Sequence, residues 1–145
     1  MMSKILLVED NPSDEKLTLM AFKRAGLVND IVVVRDGQEA LDFLFCAGQY
    51  AERERTMPAM MLLDLNLPRI NGLEVLRRIR QDSRAGLLPV VILTSSKEQE
   101  DIARSYSLGA NAYVRKPVDF DEFVKAAQTL GLFWLLLNER PPIPR

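Results

Sequence analysis

The chain has 145 residues, no histidine, one cysteine and a net charge of −1. Those features exclude a His-dependent triad, a His-ligated metal, an internal disulfide and a basic nucleic-acid footprint within this sequence. The length and a 48% hydrophobic content fit one globular domain, which at this size buries roughly 68–70% of its unfolded surface. Strand and helix periodicity then alternate along the chain. The first strand, Lys4-Ile5-Leu6-Leu7-Val8, runs into Glu9-Asp10. A helix follows Asp10-Asn11-Pro12, with Ser13 or Asn11 as its cap, continues through Leu17, Met20, Ala21 and Arg24, and stops at Gly26. The second strand is Ile31-Val32-Val33-Val34, closed by Arg35-Asp36-Gly37. The second helix carries Ala40, Leu41, Leu44 and Phe45 at helical spacing. Cys46 is expected on its apolar face as a small core residue. A long loop from Gly48 to Pro58 has the charged centre Glu52-Arg53-Glu54-Arg55.

The third strand, Met60-Met61-Leu62-Leu63, runs into Asp64. A third helix starts near Asn71-Gly72 and buries Leu73, Leu76 and Ile79. The fourth strand, Val90-Val91-Ile92-Leu93, runs into Thr94, and a fourth helix is expected from about Ser96 to Leu108. The fifth strand, Ala112-Tyr113-Val114, precedes Arg115-Lys116-Pro117. The fifth helix opens at Asp119 and buries Phe120, Phe123, Val124 and Ala127. Near-continuous apolar strands alternating with helices indicate a parallel sheet covered on both faces. Only Leu132-Phe133-Trp134-Leu135-Leu136-Leu137 and the proline-rich end depart from this pattern. Six apolar residues in a row exceed one helix face. Extra packing on the same domain and a self-association surface are both open readings.

In an open parallel sheet, ligands bind at the carboxyl ends of the strands. Glu9, Asp10 and Asp64 should therefore meet there, joined by the Thr94 hydroxyl and the Lys116 ammonium. Two like charges ~4 Å apart repel by about 4 kcal/mol at an effective dielectric of 20. Three ionised carboxylates thus require a compensating cation. Oxygen ligands suit Mg²⁺, with Mn²⁺ able to substitute. Zinc is disfavoured without histidine. Acidic residues also merely punctuate strand ends and cap helices, and Asp10 alone could do no more. Asp64 sits in the apolar stretch Leu62-Leu63-Asp64-Leu65-Asn66-Leu67-Pro68, where an uncompensated charge is costly.

These motifs give the chain its resemblance. Val8-Glu9-Asp10-Asn11, Leu63-Asp64-Leu65-Asn66-Leu67-Pro68 with Asn71-Gly72, Leu93-Thr94-Ser95-Ser96 and Lys116-Pro117 resemble, in order and spacing, the receiver domains of two-component response regulators. Thr94, Tyr113 and Lys116 lie 30, 49 and 52 residues past Asp64 (94 − 64, 113 − 64, 116 − 64). The resemblance implies a doubly wound (βα)5 flavodoxin-like fold with parallel strand order 2-1-3-4-5. It further implies a receiver domain over residues 1–130, with residues 131–145 as an interaction extension of the same domain.

By the same resemblance, Asp64 accepts a phosphoryl group from a phosphohistidine on a sensor histidine kinase or phosphotransfer protein. Asp10 and Asp64 ligate Mg²⁺ through side chains and Asn66 through its backbone carbonyl. Glu9 stands where aspartate is commoner and reaches the ion directly or through a water. Lys116 pairs with Asp64 and then with a phosphate oxygen; the family's Lys–Pro bond at this place is cis, whereas trans is the majority state of an X–Pro bond read from sequence alone. Thr94 turns its hydroxyl toward the phosphoryl group, and Tyr113 follows by changing rotamer. Asn66 and Ser96 flank the approach of hydrolytic water. The protein is then a phosphoacceptor that assists its own phosphorylation and dephosphorylation, and not an enzyme acting on a separate substrate.

Fifteen residues beyond Leu130 are too few for a DNA-binding module (145 − 130), so the expected output is a protein–protein contact. The expected surface is the fourth helix, fifth strand and fifth helix. The Phe133-Trp134 segment and the long loop before the third strand resemble regulators paired with bacterial phytochrome kinases, which implies a homodimer. A lone cysteine and no apolar run of the ~20 residues a membrane helix needs fit a cytoplasmic chain that binds neither membrane nor nucleic acid. Two other classes share parts of the pattern. A flavodoxin-like cofactor binder needs a phosphate-cradling loop after the first strand, where this chain has Glu9-Asp10-Asn11-Pro12. An aspartate-based phosphohydrolase normally places its nucleophile after the first strand and covers it with a cap domain.

Overall fold

A computed structural model describes residues 4–27, 31–95, 99–116 and 119–130. Five strands form one parallel sheet: β1 (Ile5–Val8), β2 (Ile31–Val34), β3 (Met60–Leu63), β4 (Val90–Thr94) and β5 (Ala112–Arg115). Their order is β2-β1-β3-β4-β5, as the receiver resemblance implies. Five helices alternate with them: α1 (Pro12–Arg24), α2 (Gly37–Phe45), α3 (Gly72–Gln81), α4 (Gln99–Ser107) and α5 (Phe120–Leu130). The strands pair in register, with Val8 opposite Val34 on one side and Leu63 on the other.

Because strand side chains alternate between faces, each strand feeds two cores. Leu6, Val8, Met61, Leu63, Val90 and Ile92 pack with α2 and α3 residues such as Leu44, Leu76 and Ile79. Ile5, Leu7, Met60, Leu62 and Val91 face Phe22 of α1 and Ala127 of α5. Phe22 meets Phe123 edge-on at 6.3 Å, joining α1 to α5. Every residue of β1, β3 and β4 is buried, whereas β2 and β5 at the sheet edges are mostly half-buried.

Several expectations need correction. Cys46 is not a core residue: it caps α2 at φ 54 in the left-handed region and is half-buried. Phe43 takes the buried position and Phe45 faces solvent, because α2 turns its contact face toward the following segment. The expected loop from Gly48 to Pro58 is present and is pinned to α2. A 3-10 turn at Gly48–Tyr50 sets Tyr50 edge-on to Phe43 at 5.2 Å. Arg53 then stacks 4.1 Å over the Phe43 ring and donates to the carbonyls of Phe43, Glu54 and Thr56. In α1, Asn11 is the cap, and Thr18, Ala21 and Phe22 are buried while Met20 is exposed. In α3, Val75 joins Leu76 and Ile79 in the core, with Leu73 at its edge. Phe120 is likewise only half-buried. The Ser96 start of the fourth helix, the Lys116–Pro117 bond and the Leu132–Leu137 run with Phe133 and Trp134 lie outside the described residues.

Candidate functional site

The carboxyl ends of β1, β3 and β4, with the segment leaving β5, bring the expected residues together. Glu9 continues β1, its N–H donating to the Val34 carbonyl at 3.0 Å. Asp64 continues β3, its N–H donating to the Val8 carbonyl at 3.1 Å. Both carboxylates are thus positioned by sheet hydrogen bonding rather than by mobile loops. The Lys116 N–H donates to the Thr94 carbonyl at 2.8 Å, which extends the β4–β5 pairing to the lysine itself.

The turn after Asp64 is equally constrained. Asn66 N–H donates to Asp64 Oδ1 at 3.1 Å, and Gly72 N–H donates to the Leu65 carbonyl at 2.9 Å. A Cβ on Gly72 would overlap the Asp64 carbonyl and stand 2.7 Å from Leu65 Cα. The backbone of α3 therefore closes directly on the backbone of Asp64 and Leu65, which only glycine permits. On the other side, Asn11 Oδ1 accepts from the N–H groups of Ser13 and Asp14, setting the first turn of α1 against the site.

The charges converge on one ammonium. Lys116 Nζ lies 2.6 Å from Glu9 Oε1, 2.9 Å from Asp14 Oδ2 and 3.3 Å from Asp64 Oδ2. Glu9 is only 1% exposed, and its other oxygen accepts from Asn11 N–H at 3.3 Å. Burial pushes its carboxyl up to about 7, a rise opposed by the Lys116 hydrogen bond and reinforced by the Asp64 charge. Burial alone would lower the Lys116 ammonium, but its bonds to Glu9 and Asp14 and the charges of Asp64 and Glu9 outweigh that and raise it.

One oxygen each from Glu9, Asp10 and Asp64 lies within 4.8 Å of the others. Asp10 is exposed, whereas Glu9 and Asp64 are buried. All the donors are hard oxygens, and three carboxylates stand here against the one ammonium of Lys116. These residues fit a hard divalent cation. Thr94 is fully buried, with Asn66 Nδ2 3.5 Å from its hydroxyl, while the Asn66 side chain faces solvent. Tyr113 pairs with Ile92 and packs half-buried against the larger core. The residue that sequence reasoning missed is Asp14. Its acidic position in the first turn of α1 was visible, but its partner is 102 residues away.

A family model described as the response regulator receiver domain matches residues 5–128. Response regulator Rcp1 of Synechocystis is 38% identical over 131 residues, covering 90% of this chain and 88% of Rcp1. The Mn²⁺-bound form of Rcp1 superposes with a TM-score of 0.83, covering 97% of this chain and 99% of that one. The phosphorylated cyanobacterial phytochrome response regulator RcpA gives 0.86 at 37% identity, covering 98% and 100%. The bacteriophytochrome response regulator RtBRR gives 0.82 at 53% identity, covering 98% of this chain and 86% of its own.

Proposed function

The chain belongs to the response regulator receiver domain family, and on that premise we propose that Asp64 is its phosphoacceptor in two-component signalling. The observation that carries this reading is the placement of Asp64: buried at the end of β3, 3.3 Å from the Lys116 ammonium and within 4.8 Å of two further carboxylates. An Asp64 oxygen attacks the phosphorus of a phosphohistidine on a histidine kinase or phosphotransfer protein. The P–O bond forms as the P–N bond breaks, and the leaving imidazole takes up a proton. Catalysis of such transfer is mainly positioning and charge stabilisation. Glu9, Asp10 and Asp64 side chains with the Asn66 carbonyl are the proposed ligands for Mg²⁺ or Mn²⁺. A bound cation supplies positive charge against the phosphoryl oxygens.

Lys116 follows the negative charge from carboxylate to phosphoryl oxygen. Thr94 turns its hydroxyl toward the new group, which carries about −1.5 to −2 charges, and Tyr113 changes rotamer behind it. These residues make the chain assist both its phosphorylation and the later hydrolysis, with water entering beside Asn66. The likeness to RtBRR and RcpA supports a phytochrome-type kinase as the donor. We assign residues 1–130 to the receiver and residues 131–145, with Phe133 and Trp134, to an interaction extension. The half-buried edge strand β5 and the exposed Tyr106 of α4 support a homodimer through α4, β5 and α5. A net charge of −1 supports protein contact over nucleic-acid binding as output. Dependence on a kinase phosphohistidine supports a cytoplasmic setting. Among the described residues, no helix is long and apolar enough to cross a membrane.

Intact mass after incubation with acetyl phosphate and Mg²⁺ tests the assignment. One metal-dependent phosphoryl adduct is expected in the wild type and none in Asp64→Asn. Labelling that survives the substitution refutes Asp64 as acceptor. Light scattering of both forms shows whether modification changes assembly.

A further inference from the structure

An ammonium has three N–H donors, and each of those on Lys116 is engaged: by Glu9, by Asp14 and by Asp64. Two of these acceptors also belong to the carboxylate trio that fits a divalent cation. An ammonium and a divalent cation repel each other, and here both draw on the carboxylates of Glu9 and Asp64. Asp14 stands apart from that trio. It lies on the first turn of α1, its side chain 35% exposed, against 1% for Glu9 and 7% for Asp64. Its backbone is held independently, because its N–H donates to Asn11 Oδ1 and its carbonyl accepts from Thr18 Oγ1.

We propose that Asp14 is a positioning residue for Lys116. It anchors the ammonium through an oxygen that the cation does not need, so Glu9 and Asp64 can turn to the metal. It also keeps the ammonium beside Asp64, where the phosphoryl group arrives; this second half rests on the phosphoacceptor reading above. Without Asp14, the ammonium falls back on Glu9 and Asp64 and opposes the cation more strongly. Asparagine at this position leaves the helix cap intact, since both of its backbone hydrogen bonds survive.

The test is a double-mutant cycle on Mn²⁺ affinity, read by electron paramagnetic resonance of the free ion. The proteins are wild type, Asp14→Asn, Lys116→Met and the double variant, with Lys116→Gln as a second, polar replacement should Met disturb folding. Asp14→Asn should weaken Mn²⁺ binding by about five- to tenfold, the size expected of coupled neighbours. In either lysine-substituted background the same change should cost less than about twofold. Asp14→Glu, which can still reach the ammonium, should restore most of the affinity. An equal loss in both backgrounds overturns the proposal, because Asp14 then acts on the ion by its own charge or as a ligand. No loss in either background overturns it as well. Acetyl phosphate labelling is the separate arm. Coupling without any wild-type adduct refutes the phosphoacceptor reading and leaves the anchoring role standing. An adduct without coupling does the reverse.

Discussion

Two partly buried cations hold the two ends of this sheet, and they are built from opposite materials. At the carboxyl end, Lys116 is surrounded by three carboxylates. At the other end, Arg80 reaches from the last turn of α3 to the carbonyls of Gly86, Leu88 and Gly109 and to Asn111 Oδ1. Asn111 Oδ1 also accepts from Val90 N–H at 2.8 Å, so one amide ties the starts of β4 and β5 to the arginine. Burial lowers the Arg80 guanidinium, and among the described residues no carboxylate pairs with it, yet a guanidinium stays protonated throughout the range of protein chemistry. Carbonyl dipoles neither titrate nor leave. Carboxylates can take a proton, a metal or a phosphoryl group instead of the ammonium. The same unit of positive charge is a fixed strut where its partners are backbone, and an exchangeable contact where its partners are ionic.

The largest expected effect comes from Lys116→Met. Removing one member of a buried ion pair leaves the remaining charge uncompensated. The metal-free protein should lose about 3 kcal/mol at pH 8 by urea unfolding, and saturating Mg²⁺ should recover much of it. A loss indifferent to Mg²⁺ would contradict the exchange of ammonium for cation.

Arg80→Met should be nearly as damaging, about 2 kcal/mol, because several carbonyls lose their donor. Here Mg²⁺ and pH should leave the loss unchanged. A pH-dependent loss would erase the contrast between the two ends.

The third effect is a pH slope. Glu9 titrates at about 7 in the folded chain against an ordinary 4.5, so the folded state holds this proton more tightly than the unfolded one. Its contribution to stability is complete below pH 4.5 and is lost as the pH rises through 7. Lys116, raised still further above its ordinary range, is charged in both states there and adds no slope. Metal-free unfolding free energy should therefore fall by about 2 kcal/mol between pH 5 and 8. Glu9→Gln or saturating Mg²⁺ should flatten the curve, and a flat metal-free wild-type curve would remove the assigned role of Glu9 burial.

The smallest effect is on the exposed face of α3. Glu74 bridges Arg77 at 2.5 Å and Arg78 at 2.8 Å, and its hydrogen bonds to both hold its carboxyl down at about 2. Exposed pairs of this kind are screened by salt. Glu74→Gln should shift the thermal midpoint slightly at low ionic strength and not at all in 0.5 M salt, roughly where screening becomes complete. A shift that persists in salt would make this face more than solvated charge.

The sheet was legible because each strand is a short apolar run ending in a residue with chemistry, and one-dimensional order fixes which strand ends share an edge. The trio Glu9, Asp10 and Asp64 followed from that alone. Asp14 did not, since its significance depends on Lys116 arriving from 102 residues away. Arg80 was hidden for a related reason: its partners are backbone carbonyls, which carry no sequence signature. Phe45 was expected on the apolar face of α2, yet Phe43 is the buried ring, because a helix of nine residues can turn either face to its neighbours. That choice was made by Tyr50 and Arg53, which pack on Phe43 from a segment with no periodicity of its own.

Cys46 carries a practical consequence. α2 leaves the carboxyl end of β2 and returns toward the start of β3, so its left-handed cap lies at the end of the sheet away from Glu9 and Asp64. The only thiol in the sequence is half-buried at that far end, so a dye or spin label attached there would sit apart from Glu9 and Asp64. Two labelled copies brought together would yield a single inter-probe distance. A probe there would read out any assembly from the end of the sheet opposite Glu9 and Asp64.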